Sequence, residues 1–223
     1  MVIHALLAAS LAFTSLPAQA AAVDCSRVKC LALTFDDGPG KYTNALLKAL
    51  AKERAKATFF LVGKRVEKMP GMAKKIVARG HAIGNHTYSH AWLPSLSDDE
   101  ILEELKVTQE VIEKATGQRP DMYRPPYGKT DERVLGVATQ VDLSEILWTG
   151  TTLDWSLKDT KKIKAAVLKL AKRDGVILMH DVVPETVKVM PEVLRELKKR
   201  GYHLVTVPVL LRGKGPKPGV TYP

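Results

Sequence analysis

Two adjacent aspartates, Asp36 and Asp37, close the apolar run Leu31-Ala32-Leu33-Thr34-Phe35, and Gly38-Pro39 turns the chain away from them. Such a run ended by Gly-Pro reads as a short buried strand entering a loop. Two neighbouring carboxylates cost free energy unless something divides their tasks, such as a metal ion on one of them. Taken alone, the pair would serve equally as a turn, with one side chain capping a backbone N–H. His86-Thr87-Tyr88-Ser89-His90 then offers two imidazoles at i, i+4. A helical turn there would aim both at one point; a loop with two surface histidines is the plain alternative. Two histidines and one carboxylate are a common hydrolytic metal set with a position left for water. One of Asp36 and Asp37 can bind the metal while the other stays free as a base.

Three further strand ends carry polar groups. Arg124-Pro125-Pro126-Tyr127-Gly128 is a rigid loop whose arginine could pair with the free aspartate, or serve solubility alone. Asp154-Trp155 could be a helix cap beside a packed aromatic. His180-Asp181 ends the apolar run Val176-Ile177-Leu178-Met179. A lone histidine there is often structural, yet these groups share one rim, where βα barrels place their chemistry.

The elements that must position these residues alternate along the chain. Strand runs are expected at Leu31–Leu33, Ala57–Val62, His81–Asn85, Met122–Arg124, Ser144–Trp148, Val176–Met179 and His203–Val207. Helical periodicity fills the gaps, and Ser97-Asp98-Asp99-Glu100 is a capping box opening a long helix. Regular βα alternation implies α/β with a parallel sheet, and about seven units favour a closed or nearly closed barrel in a single domain. No glycine-rich dinucleotide fingerprint follows the first strand, which weakens an open doubly wound sheet.

The ends bound the domain. Ala5 to Leu16 is apolar and Ala18-Gln19-Ala20 fits a signal-peptidase site, so residues 1–20 are expected to be a signal peptide. The run is too short to span a bilayer comfortably. An exported, extracellular protein follows as the expectation, with wall association left open. In an oxidising compartment Cys25 and Cys30 default to a disulfide within the segment 21–30. Residues 212–223 have linker composition and are expected to be a flexible basic tail. The formal charge of +10 suits polyanionic partners, but export argues against nucleic acid, and the cations are scattered over helices.

With these residues in view, the chain resembles the polysaccharide deacetylases of the NodB-homology type, carbohydrate esterase family 4. The resemblance runs from about Lys29 to Val207, in five motifs in family order, within a domain bounded at 29–211. It implies a distorted (β/α) barrel and metal-dependent removal of acetyl groups from sugar polymers. It implies Asp36 as general base and Asp37, His86 and His90 as metal ligands. Arg124 would orient the base, and the Tyr127 backbone N–H would donate to the oxyanion. Asp154 would support His180 as general acid, while Trp155 walls the groove and Leu178 lines the acetyl pocket. The ligand set favours zinc, with cobalt, manganese or nickel as alternatives. Thr151 stands where the family usually has an acidic residue, so the support around Arg124 and His180 is expected to be tuned. Chitin, peptidoglycan N-acetylglucosamine and acetylxylan are the candidate polymers for an expected monomer. A sugar-binding homologue that has lost catalysis and an amidase for small cyclic amides are the competing readings.

Overall fold

The structure, a computed structural model, describes residues 23–212 and 215–223. The expected signal peptide therefore lies outside the described residues. The chain runs β1 (Cys30–Gly38), α1 (Thr43–Lys52), β2 (Thr58–Leu61), α2 (Gly63–Lys68), α3 (Pro70–Ala78) and β3 (Ala82–Asn85). It continues through α4 (Asp98–Thr116), β4 (Met122–Tyr123), α5 (Glu132–Thr139), β5 (Ser144–Ile146), β6 (Gly150–Thr151) and α6 (Asp154–Leu157). It closes with α7 (Thr160–Leu170), β7 (Gly175–His180), α8 (Pro184–Lys199), β8 (His203–Val205), α9 (Val207–Leu210) and β9 (Thr221–Tyr222). Every strand pairing is parallel, as the βα alternation requires. The order is β6-β7-β1-β2-β3-β4-β5-β9, and β8 pairs with the opening residues of β1.

Side-chain alternation explains the curl. Leu31, Leu33 and Phe35 of β1, Phe59 and Leu61 of β2, and Ile177 and Met179 of β7 pack outward on helix residues such as Leu46, Leu50, Met190 and Val193. The intervening residues Ala32, Phe60, Met122, Ile146, Val176 and Val205 meet in one inner cluster. Six strands can touch through one face only if the sheet bends into a barrel wall. The result is a distorted (β/α) barrel, open between β6 and β9. The same alternation decides which later residues face inward. Thr34 and Asp36 follow Ala32, Arg124 follows Met122, and Leu178 and His180 follow Val176.

Two short strands join the seven expected. Thr151, read as part of a loop, pairs with Leu178 through β6. The expected flexible tail is corrected at its end, where Thr221–Tyr222 pairs with Glu145–Ile146. Val220 and Tyr222 carbonyls accept from the Glu145 and Leu147 N–H groups at 3.1 and 2.8 Å, and Tyr222 packs on the inner cluster. Cys25 and Cys30 form the expected disulfide. No helix among the described residues is long and apolar enough to cross a membrane.

Candidate metal centre and active site

The β1–β7 register sets Asp36 beside His180, although 143 residues separate the two in sequence. Asp37, still within β1, takes φ 69° where the β1–β2 register shifts, and its carboxylate meets the histidine loop. The turn beyond is packed tightly. A Cβ at Gly38 would fall 2.6 Å from the buried Asp181 carboxylate, which also accepts from the Thr43 hydroxyl. Gly40 N donates to Thr43 Oγ1 at 2.8 Å.

His86 and His90 meet on a loop rather than a helix, with Thr87 and His90 at φ 62° and 65°. The chain still converges because outside groups hold it. Asn85 Oδ1 accepts from Thr87 N at 2.8 Å, and Glu104 accepts from Ser89 N and Oγ at 2.8 and 2.6 Å. His86 Nδ1 donates to the Arg124 carbonyl at 2.7 Å, and His90 Nδ1 lies 3.1 Å from the Tyr127 hydroxyl. Both Nε2 atoms are thereby turned to Asp37 Oδ1, at 3.5 and 3.1 Å. That oxygen is buried and has no hydrogen-bond partner. Burial would raise the Asp37 carboxyl, but the two imidazoles outweigh it and hold it well below the usual range. Three donor atoms within 4.8 Å of one another, one of them orphaned, fit a divalent cation.

Asp36 has a different partner. Arg124 Nη1 donates to Asp36 Oδ1 at 2.8 Å and to Thr34 Oγ1 at 2.7 Å. The guanidinium is wholly buried, 4.1 Å over the Phe60 ring, and gives its Nε and Nη2 to the Ile146 and Leu147 carbonyls at 2.9 and 2.7 Å. Thr151 does not take part; its hydroxyl accepts from Leu153 N at 3.3 Å. With threonine in place of the family's usual acidic residue, Arg124 is supported by backbone carbonyls at the end of β5. Arg124→Met should therefore strand a buried carboxylate and two carbonyls, costing about 3–5 kcal/mol, or roughly 10 °C in Tm. A melt within 2–3 °C of the parent's would contradict that account.

His180 is held by Asp154, which accepts from its Nδ1 and from its backbone N, both at 2.8 Å. Thr186 donates to the same carboxylate at 2.6 Å. Burial works against the imidazolium, but the Asp154 bond and charge prevail and lift His180 to about 9. A raised histidine adds stability fully present below its unfolded value and lost as pH rises through about 9. A proton-donating His180 would fail over the same upper window. Asp154→Asn should move the alkaline limb of the kcat profile down toward an ordinary histidine. An unmoved limb would detach Asp154 from that proton.

Asp36, Asp37, His86, His90 and His180 share a cavity of about 440 Å³ with Tyr127, Trp148, Thr151, Leu153, Trp155 and Leu178, and Arg124 and Asp154 are buried behind it. Tyr127, at φ 61°, is 59% exposed on one lip, and Trp155 is 57% exposed on the other. All ten residues singled out as site residues thus lie at one rim. Thr34, Thr186 and Asp181 were missed. Thr34 was findable, because it lies two residues before Asp36 on the same strand face.

Residues 24–146 match the family described as polysaccharide deacetylase. A peptidoglycan-N-acetylmuramic acid deacetylase, PdaC, of Bacillus subtilis is 37% identical over 180 residues, covering 80% of this chain and 38% of that protein. The chain thus spans well under half of that relative's length. Chitin deacetylase 1 of Saccharomyces cerevisiae is 41% identical over 167 residues, covering 71% of this chain and 54% of that protein. Among solved structures, "T48 deacetylase with substrate" superposes with a TM-score of 0.87 at 42% identity, covering 91% of this chain and all of that one.

Proposed function

Since the chain belongs to the polysaccharide deacetylase family, we propose that it is an exported, divalent-metal-dependent hydrolase that removes N-acetyl groups from polymers of acetylated amino sugars. The observation that carries this reading is the division of labour at the rim. Asp37, His86 and His90 form a donor set, while Asp36 and His180 are held beside it by separate partners, Arg124 and Asp154.

Asp37, His86 and His90 would hold the ion, with zinc favoured by two imidazoles and a carboxylate. Bound there, it supplies Lewis acidity toward the acetyl carbonyl and a more acidic water. Asp36 accepts the proton of the attacking water, and Arg124 fixes its orientation. The Tyr127 backbone N–H donates to the developing oxyanion, a contribution of about 3–4 kcal/mol for such donors. His180 gives its proton to the departing nitrogen, and Asp154 keeps the donating Nε2 turned to the cavity. Leu178 lines the acetyl pocket, while Trp155 and Tyr127 wall the groove. The Cys25–Cys30 disulfide and the apolar N-terminal run support export.

The test is acetate release from chitooligosaccharides, purified peptidoglycan and acetylxylan, side by side, with and without chelator. The amino-sugar polymers are expected to react, and chelator to stop them. Release from acetylxylan alone would make the protein an O-acetyl esterase. Silence on all three would leave a sugar-binding homologue.

A further inference from the structure

We propose that Trp92 and Lys129 form a subsite next to the cavity for a carboxylate-bearing sugar of the same glycan strand; this rests on the deacetylase reading and adds the charge of the polymer.

Trp92 belongs to no motif used above and does not line the cavity. It continues from it through a row of rings. The Tyr127 ring lies 4.7 Å from the His90 ring, and the Trp92 ring lies 5.6 Å beyond Tyr127, tilted by 33°. Trp92 is 48% exposed, so an indole and a phenol stand together in solvent at one lip. Contiguous exposed aromatic surface beside a cavity marks a ligand-binding groove more often than scattered single residues do. The turn beneath is rigid, unlike a mobile loop tip. Leu93 is fully buried among Ile101, Leu105 and Tyr123. Ser95 donates to the Trp92 carbonyl through both N and Oγ, at 3.1 and 2.8 Å. Arg133 donates to the Pro94 and Leu96 carbonyls at 3.0 and 2.9 Å and pairs with Asp98 at 2.8 Å. The indole is thus presented in advance, and little entropy is lost when a ring stacks on it. Pyranose rings offer flat C–H faces that suit such a platform. A sugar there would be a neighbour of the one at the metal, because Tyr127 serves both places.

Lys129 supplies the charge. Its Nζ lies 5.5 Å from the Trp92 ring. It forms no ion pair with the described residues. Asp131, two residues along the chain, is engaged elsewhere, accepting from Val134 N at 2.8 Å. A neutral sugar gains little from an ammonium held over one face of the platform. A sugar with an acidic substituent, such as the lactyl carboxylate of N-acetylmuramic acid, gains an ion pair. The overall charge of +10 favours the same kind of polymer.

The test compares kcat/KM on two probes: neutral chitopentaose, and peptide-free strands of alternating N-acetylglucosamine and N-acetylmuramic acid. Lys129→Gln should lower the ratio of anionic to neutral activity about three- to fivefold, as expected for an exposed ion pair. Lys129→Arg should restore it, and the difference should vanish in high salt. Trp92→Ala should raise KM roughly fivefold on both glycans. It should leave kcat, and hydrolysis of 4-nitrophenyl acetate, unchanged. A Lys129→Gln ratio equal to the parent's, or a Trp92→Ala KM equal to the parent's on the anionic strand, overturns the subsite alone. A parent enzyme that hydrolyses the small ester but releases acetate from no glycan overturns the deacetylase reading, and the subsite with it.

Discussion

Asp36→Asn is expected to lower kcat by about 10²–10⁴ while the chain keeps its metal ion. The amide retains the shape of the carboxylate and can still accept from Arg124 through its oxygen, so the rim should persist. It cannot take a proton from water at neutral pH. The metal donors are untouched, because Asp36 Oδ2 lies 4.0 Å from His86 Nε2 and Asp37 alone forms the donor set with the histidines. Arg124 loses its charge partner, so some loss of stability accompanies the change. The comparison therefore uses kcat per folded, metal-loaded molecule. Turnover within a few-fold of the parent's would remove Asp36 from the base position.

His86→Ala should lose the ion itself and turnover with it. His86 is buried and its ring is fixed by the bond from Nδ1 to the Arg124 carbonyl, while the nearest other carboxylate, Asp36, is held by Arg124. Only Asp37 and His90 remain as donors. Losing an outer partner of a ligand commonly costs 10–100-fold in metal affinity, and losing the ligand should cost more than about 100-fold. Metal content per chain after dialysis reads this directly. Occupancy equal to the parent's would exclude His86 as an essential ligand. The two variants form a contrasting pair, one keeping metal without turnover and the other losing both.

Much of this site was legible because strand alternation is strict. Once Leu31, Leu33 and Phe35 are assigned outward, Asp36 must face inward, and the same rule serves Arg124 after Met122 and His180 after Val176. Register was not legible. Nothing in the local sequence states that Asp36 pairs with His180, because that follows from how two distant strands settle over a shared core. The i, i+4 spacing of His86 and His90 gave the correct convergence through the wrong local structure. A helix was one way to meet the spacing; two left-handed residues held by Asn85 and Glu104 were another. The tail was misjudged because a two-residue strand has no periodicity to read. Its Thr221 hydroxyl donates to buried Glu145 at 3.0 Å, and only the folded chain brings the two together. Thr151 was singled out for the acid it lacks, whereas Arg124 draws on carbonyls that every sequence supplies.

The most direct measurement is acetate release from an N-acetylglucosamine polymer as chelator-stripped protein is titrated with zinc. Activity should rise from near zero in proportion to added metal and level off at one equivalent per chain. Full turnover in the stripped protein, or a plateau that bears no relation to one equivalent, would contradict the division of Asp37, His86 and His90 from Asp36 and His180.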